Sequence, residues 1–343
     1  MEQKFDFKDI TLVPETISTI SHRSWINVYN DYACLPIMVS PMDTVVNEEN
    51  YQLFLNQSFE VCVPRGVMTK NNLVFTSMSL DDFEDYVTWY SVRNDTSEQI
   101  RILIDIANGH MIRLYDIVKK FYSIRKSDNH KIMVGNIANP KTYSEFAKIG
   151  VDYVRVGIGG GSGCLTSANT GVHYPMASLI HEIYNIKKEN SFNTKIVADG
   201  GFKNYDDIIK ALALGADYVM LGGILNKCLE SCSETKLFKK ISILDNTASY
   251  LWKYYPKLRK YFYKSFRGMS TKEVQKKWNK NILKTSEGIS KINKVEYTLE
   301  QWSKNFEDYL RSAMSYTNSM NLDEFKESQF IFITENALNR FNK

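Results

Sequence analysis

Eight short apolar runs in the first two thirds of the chain constrain its fold more than any other feature. They are LPIMVSP (35–41), FEVCVPR (59–65), VFTSMS (74–79), RILIDIA (101–107), KIMVGNI (131–137), YVRVGIG (153–159), KIVADGG (195–201) and YVMLGG (218–223). Each is short for a helix, and several are nearly continuous in apolar, β-branched residues instead of alternating. That pattern belongs to strands buried on both faces of a parallel sheet. Helical-period stretches lie between several of them, at 47–57, 80–93, 110–125, 140–149, 176–189 and 203–214. Eight such strands with helical crossovers predict an α/β chain closed into a (β/α)8 TIM barrel. An open doubly wound sheet is the rival. Closure is favoured by what stands at or just past the C-terminal ends of the runs: Asp43, Arg65, Asp105, Asn108, Asn136, Cys164, Asp199, Gly222 and Gly223. In a barrel these ends converge on one mouth, whereas an open sheet spreads them along an edge.

Past Gly223 the alternation stops. Residues 224–297 are polar, Lys-rich and aromatic, and a connection of this length reads as a lid or flap. A last helix is predicted over 298–316 and a final strand over 328–334. The chain is therefore read as a single barrel domain, 1–343, with a flap segment at 224–297. With 43% hydrophobic and 24% charged residues it is an ordinary globular composition. A net charge of +4, without a basic stripe, argues against a nucleic-acid partner. No apolar run of about 18 residues predicts a membrane span, and the start MEQKFDFKDITL lacks the apolar segment of a signal peptide. The five cysteines are odd in number, and no histidine or second cysteine pair joins Cys228 and Cys232 into a zinc site, so a reducing cytoplasm is expected.

The loop RVGIGGGSGCLTSANTGVHYP (155–175) sets a lone cysteine among glycines and hydroxyl residues directly after a buried strand. Cys164 at the barrel mouth would be exposed, and nearby backbone N–H groups would favour its reactive thiolate; the alternative is an inert loop cysteine. Thr166 could pass protons there but needs a carboxylate partner, and Glu287 in TSEG is a candidate. Gly200 and Gly201, then Gly222 and Gly223, let backbone approach an anion ahead of a helix. Two such turns on the last two strands suit phosphate; the alternative is two tight turns with no ligand. Asp199, acceptor-only when ionised, suits ribose hydroxyls better than phosphate.

With FDFKDITLVP at the start, SPMDTV, IDIANGH, IMVGNI, the loop VGIGGGSGCLTSANTGVHYP, ADGG, LGG and FRGMS following in order, the chain resembles the inosine monophosphate dehydrogenase and guanosine monophosphate reductase family over nearly its whole length. The resemblance implies a purine-nucleotide enzyme, usually a homotetramer. Cys164 would attack C2 of the purine and form a covalent thioimidate, with Thr166 and Glu287 moving protons. Ser162, Asp199, Gly200, Gly201, Gly222, Gly223, Gly268, Met269 and Ser270 would hold the nucleotide monophosphate. Arg23, Arg65, Asp105, Ile106, Ala107 and Asn108 would lie toward a nicotinamide cofactor. Gly159, Gly161 and Cys164 would offer carbonyls to a monovalent cation such as K+. The loop departs from the family's usual form: Gly160 stands for a proline, Leu165 for a threonine and Ser167 for an arginine.

Within the family, three features favour the reductase, which uses NADPH to convert GMP to IMP and ammonia. Only about eight residues part VCVPR from VFTSMS, where the dehydrogenase commonly carries a regulatory insertion. No Arg-Tyr pair lies between Gly268 and Gly288, and the gap from RGMS to SEG is short. The alternatives are an IMP dehydrogenase lacking its regulatory domain and a barrel that binds purine nucleotide without turnover.

Overall fold

The computed structural model describes residues 3–69, 71–92, 99–277 and 288–341, and in it the eight apolar runs become eight parallel strands. These are β1 (Ile37–Val39), β2 (Glu60–Val63), β3 (Phe75–Met78), β4 (Ile100–Asp105), β5 (His130–Ile137), β6 (Tyr153–Val156), β7 (Lys195–Asp199) and β8 (Tyr218–Leu221). Each pairs with the next, and β8 pairs back onto β1 through Ile37 with Val219, Met38 with Met220 and Val39 with Leu221. The sheet is thus a closed barrel, and the open-sheet rival is excluded.

Side chains alternate across each strand and sort into two cores. Met38, Cys62, Phe75, Leu103, Met133, Tyr153, Val197, Tyr218 and Met220 fill the lumen. Their strand neighbours, such as Val39, Val61, Ile102, Val134, Val154 and Val219, join the larger cluster that includes the helices. This double burial explains the near-continuous apolar runs.

The crossover helices are α1 (Tyr51–Leu55), α2 (Leu80–Ser91), α3 (Ile112–Ile124), α4 (Pro140–Ile149), α5 (Met176–Glu189) and α6 (Tyr205–Ala213), with α7 (Leu299–Tyr316) following the long segment after β8. Their ends are written in the sequence. Ser79 and Asp82 form a reciprocal capping box on α2. On α4, Asn139 caps the first turn, Pro140 begins it, and Gly150 ends it at φ +90°. Its apolar face buries Tyr143, Phe146 and Ala147. Helix α7 seats Trp302 against Phe306, Tyr205 and Phe59, anchoring it on α6 and the start of β2. Among the described residues no helix joins β2 to β3. None is long and apolar enough to cross a membrane.

All the strand expectations except 131–137 ran too far at the C-terminal end; the runs at 153–159, 195–201 and 218–223, for example, stop at Val156, Asp199 and Leu221. Gly157, Gly159, Gly200 and Gly201 take positive φ, which turns the backbone out of the extended region. The final strand, Phe330–Phe332, pairs antiparallel with Ile10–Leu12 outside the barrel. The segment after β8 is also more built than a simple lid. It carries an antiparallel sheet in the order Ile241–Ile243, Thr235–Leu237, Phe262–Arg267, Ser290–Lys294 and a helix, Asp245–Tyr254. Leu229, Ala248, Trp252, Phe262 and Val295 give it a small core of its own.

Candidate active site

The barrel's C-terminal end gathers three glycine turns around the cysteine loop. At Gly200 an added Cβ would meet the Gly161 nitrogen at 2.9 Å; at Gly223 it would meet the Ser162 hydroxyl at 2.5 Å. At Gly268 it would meet the Gly163 carbonyl oxygen at 2.3 Å. Residues 161–163 therefore thread between the turns after β7, after β8 and after the strand Phe262–Arg267; at Gly200 and Gly268, where the near atoms are backbone, hydrogen is the only side chain that fits. The turns predicted from separate parts of the sequence meet at the residues leading into Cys164.

Cys164 is half-buried, not packed into the interior. Its sulfur lies 3.1 Å from the Thr166 hydroxyl and 3.5 Å from the Thr166 backbone N–H, which points its hydrogen at the sulfur. The Cys164 N–H donates to the Gly161 carbonyl at 2.9 Å, which fixes the turn that presents the side chain. Glu287 lies outside the described residues. Its successor Gly288 pairs with Cys164 in an antiparallel bridge, and Ile289 N–H donates to the Gly163 carbonyl at 3.1 Å. Ser270 and Met269 are partly exposed, and the Ser270 hydroxyl stands 3.1 Å from where a Cβ on Gly288 would sit.

Beside the cysteine loop runs a charged layer in which Arg155, given no role by the sequence alone, joins Asp105, Asp199 and Arg65, which were expected at the site. Arg155, buried inside β6, donates to Asp105 at 2.5 Å and lies 3.8 Å from Asp199. Burial opposes its charge, but Asp105 and Asp199 outweigh that and hold it protonated beyond the usual guanidinium range. Asn136 donates its amide to Asp199 at 2.9 Å and to the Gly157 carbonyl at 2.8 Å. Burial still leaves the Asp199 carboxyl raised above its ordinary value, against the pull of Arg155 and Asn136. Arg65 stands 3.6 Å from Asp105. The signal for Arg155 was its charge at a lumen-facing position of an otherwise apolar strand.

After Asp105, Ile106 is partly buried while Ala107 and Asn108 are exposed. Arg23 is not brought to this mouth within one chain; it is exposed on the turn Arg23–Trp25, which contacts α7. The carbonyls of Gly159 and Gly161 already accept the Ser167 hydroxyl, at 3.1 Å, and the Cys164 N–H. The loop closes on itself through these bonds. The nicotinamide expectation fits better. Asp105, Arg65, Ala107 and Asn108 present a carboxylate, a guanidinium and exposed backbone at one strand end.

The sequence profile of a family described as "IMP dehydrogenase / GMP reductase domain" matches residues 95–248. The chain is 27% identical to GMP reductase 2 of Mus musculus, covering 97% of this chain and 95% of that protein. It is 29% identical to GMP reductase of Phytophthora infestans, covering 97% and 92%. With GMP reductase of Caenorhabditis elegans it shares 27% identity over 97% and 93%.

Proposed function

We propose that the chain, an oxidoreductase whose residues 95–248 match the IMP dehydrogenase / GMP reductase domain, converts GMP to IMP and ammonia with NADPH through a covalent adduct on Cys164. The observation that carries this reading is the sulfur of Cys164, partly exposed and within 3.1 Å of the Thr166 hydroxyl, at the loop that the phosphate-type turns enclose.

The Cys164 thiolate attacks C2 of the purine. The Thr166 N–H points at the sulfur and helps hold it in place. As the bond from C2 to the exocyclic nitrogen breaks, Thr166 passes a proton to the departing ammonia. Glu287, one residue from the bridge partner of Cys164, supplies that proton. The sulfur stays bonded to C2 as a thioimidate. When bound, NADPH would supply hydride to C2, and the carbon–sulfur bond would then break to release IMP and restore the thiolate. Asp199 accepts from the ribose hydroxyls while Asn136 and Arg155 hold its carboxylate in place. The turns at Gly200, Gly201, Gly222 and Gly223 take the phosphate, with Ser162 beside Gly223. Residues 268–270 contact the base, and Asp105, Arg65 and Asn108 orient the cofactor. A role for Arg23 at the cofactor would require a second copy of the chain, as in a homotetramer. A cytoplasmic location suits the free thiol that this chemistry needs.

The test is to mix the protein with GMP and NADPH and follow loss of the reduced cofactor, against a parallel mixture of IMP and NAD. Oxidation of NADPH with release of ammonia supports the reading. Turnover only with IMP and NAD replaces it with the dehydrogenase.

A further inference from the structure

We propose that Arg267 and Asp43 form a positioning pair that sets the turn at residues 268–270 against the cysteine loop. The inference rests on the reading above for what the turn does, but not for where the turn sits. Arg267 is the last residue of the strand Phe262–Arg267. It reaches across to Asp43, just past β1, with both arms of a fork. Its Nε donates to Asp43 Oδ1 at 3.1 Å, and its Nη2 donates to Oδ2. The side chains are 20% and 19% exposed, so water competes weakly for the pair. Glu273 is a looser third partner at 3.3 Å.

Asp43 is itself a fixed post. Its carbonyl accepts from Cys232 Sγ at 3.5 Å. The next carbonyl, that of Thr44, accepts from the fully buried Asn226, whose amide also donates to the Ser265 carbonyl at 2.9 Å. Asn293 closes this network by donating to Asn226 Oδ1 at 2.8 Å. The loop after β1 and the added sheet are thereby tied together at Ser265, two residues before Arg267, and at Asn293 on the neighbouring strand.

The position of Arg267 in the strand gives the pair its leverage. Phe262, Lys264 and Phe266 bury on one face while Tyr263, Ser265 and Arg267 occupy the other. The next residue, Gly268, touches Gly163 with no room for a methyl group. Holding the Arg267 side chain in two bonds fixes both the rotation and the reach of the strand end. A point charge on a flexible stem would fix neither. Arg267 and Asp43 thus act through the turn and not on the reacting atoms.

The experiment uses Arg267→Lys, Asp43→Asn and the double variant in the full-length protein. Hydrogen exchange without ligand is measured first. Faster exchange at residues 163–166 and 266–270 in each variant, with the rest of the barrel unchanged, is the expected result. Affinity for GMP by calorimetry should fall about tenfold, KM for nucleotide should rise with KM for NADPH unchanged, and the double variant should be no worse than either single one. Exchange identical to the parent overturns the proposal whether or not GMP binds. So does additive loss in the double variant. A parent protein that binds no GMP, with the exchange pattern as expected, removes the functional reading and leaves the positioning pair standing. Should Asp43→Asn fail to fold, Arg267→Lys alone decides, because it keeps the charge and removes only the fork.

Discussion

Replacing Gly268 with alanine places a methyl carbon 2.3 Å from the Gly163 carbonyl oxygen, 3.1 Å from the Gly163 carbonyl carbon and 3.2 Å from the Gly288 Cα. All three are backbone atoms, so no side chain can swing away. Restoring an ordinary contact requires the turn and the cysteine loop to separate by about 1 Å, and a displacement of that size can cost on the order of 10²-fold in rate. A factor of 100 corresponds to about 2.7 kcal/mol of lost transition-state stabilisation. The contrast is Gly160→Ala, whose new carbon has its nearest neighbour, the Gly201 nitrogen, at 3.4 Å. Steady-state assays with GMP and NADPH should show kcat/KM down about a hundredfold for Gly268→Ala and within about threefold for Gly160→Ala, with both proteins keeping the parent's circular dichroism. Equal activity in the two variants would refute the threading of the loop between the turns.

Two further outcomes follow from buried charge. Removing Arg155 as Arg155→Leu strips Asp105 and Asp199 of their shared cation, and breaking a buried pair from one side costs about 3–5 kcal/mol. Urea unfolding should show that loss, with part of it recovered in Arg155→Lys; a change under about 0.5 kcal/mol would contradict the role assigned to the layer. Asp217 is buried at the opposite end of the barrel, just before β8. Burial alone would raise its carboxyl, but Lys187, Lys326 and Lys195 more than offset this and lower it to about 2. The folded value thus lies below an unfolded value of about 3.9, so the contribution, on the order of 2 kcal/mol, is present above pH ~4 and lost as pH falls through about 2. Asp217→Asn should be less stable at neutral pH and should lose less stability between pH 4 and 2; parallel curves for the two proteins would contradict it.

The barrel was legible because two-sided burial writes a distinctive pattern. A strand such as KIMVGNI has no solvent face, and its run of apolar residues says so without reference to any other part of the chain. The helix ends were legible for the same local reason, as Asn139, Pro140 and Gly150 around α4 show. The strand ends were not, because glycines such as Gly200 continue an apolar run on paper while turning the chain in space. The sheet after β8 was hidden by length and composition. Its strands are short and half-exposed, and its partners, such as Thr235 with Lys264 and Lys264 with Asn293, lie about thirty residues apart. At the site, Cys164 stood out because a thiol among glycines is unusual. Arg155 and Arg267 did not stand out, since their partners Asp105, Asp199 and Asp43 are remote in sequence and only barrel closure brings them near.

The account turns on the sulfur of Cys164 forming a bond to the nucleotide. Intact-mass measurement after incubation with GMP, without reduced cofactor, tests this directly. The account predicts a species heavier than the protein by GMP less ammonia, lost on adding NADPH and absent in Cys164→Ala. An unmodified parent mass under conditions where NADPH plus GMP turns over, or an adduct that persists in Cys164→Ala, would contradict it.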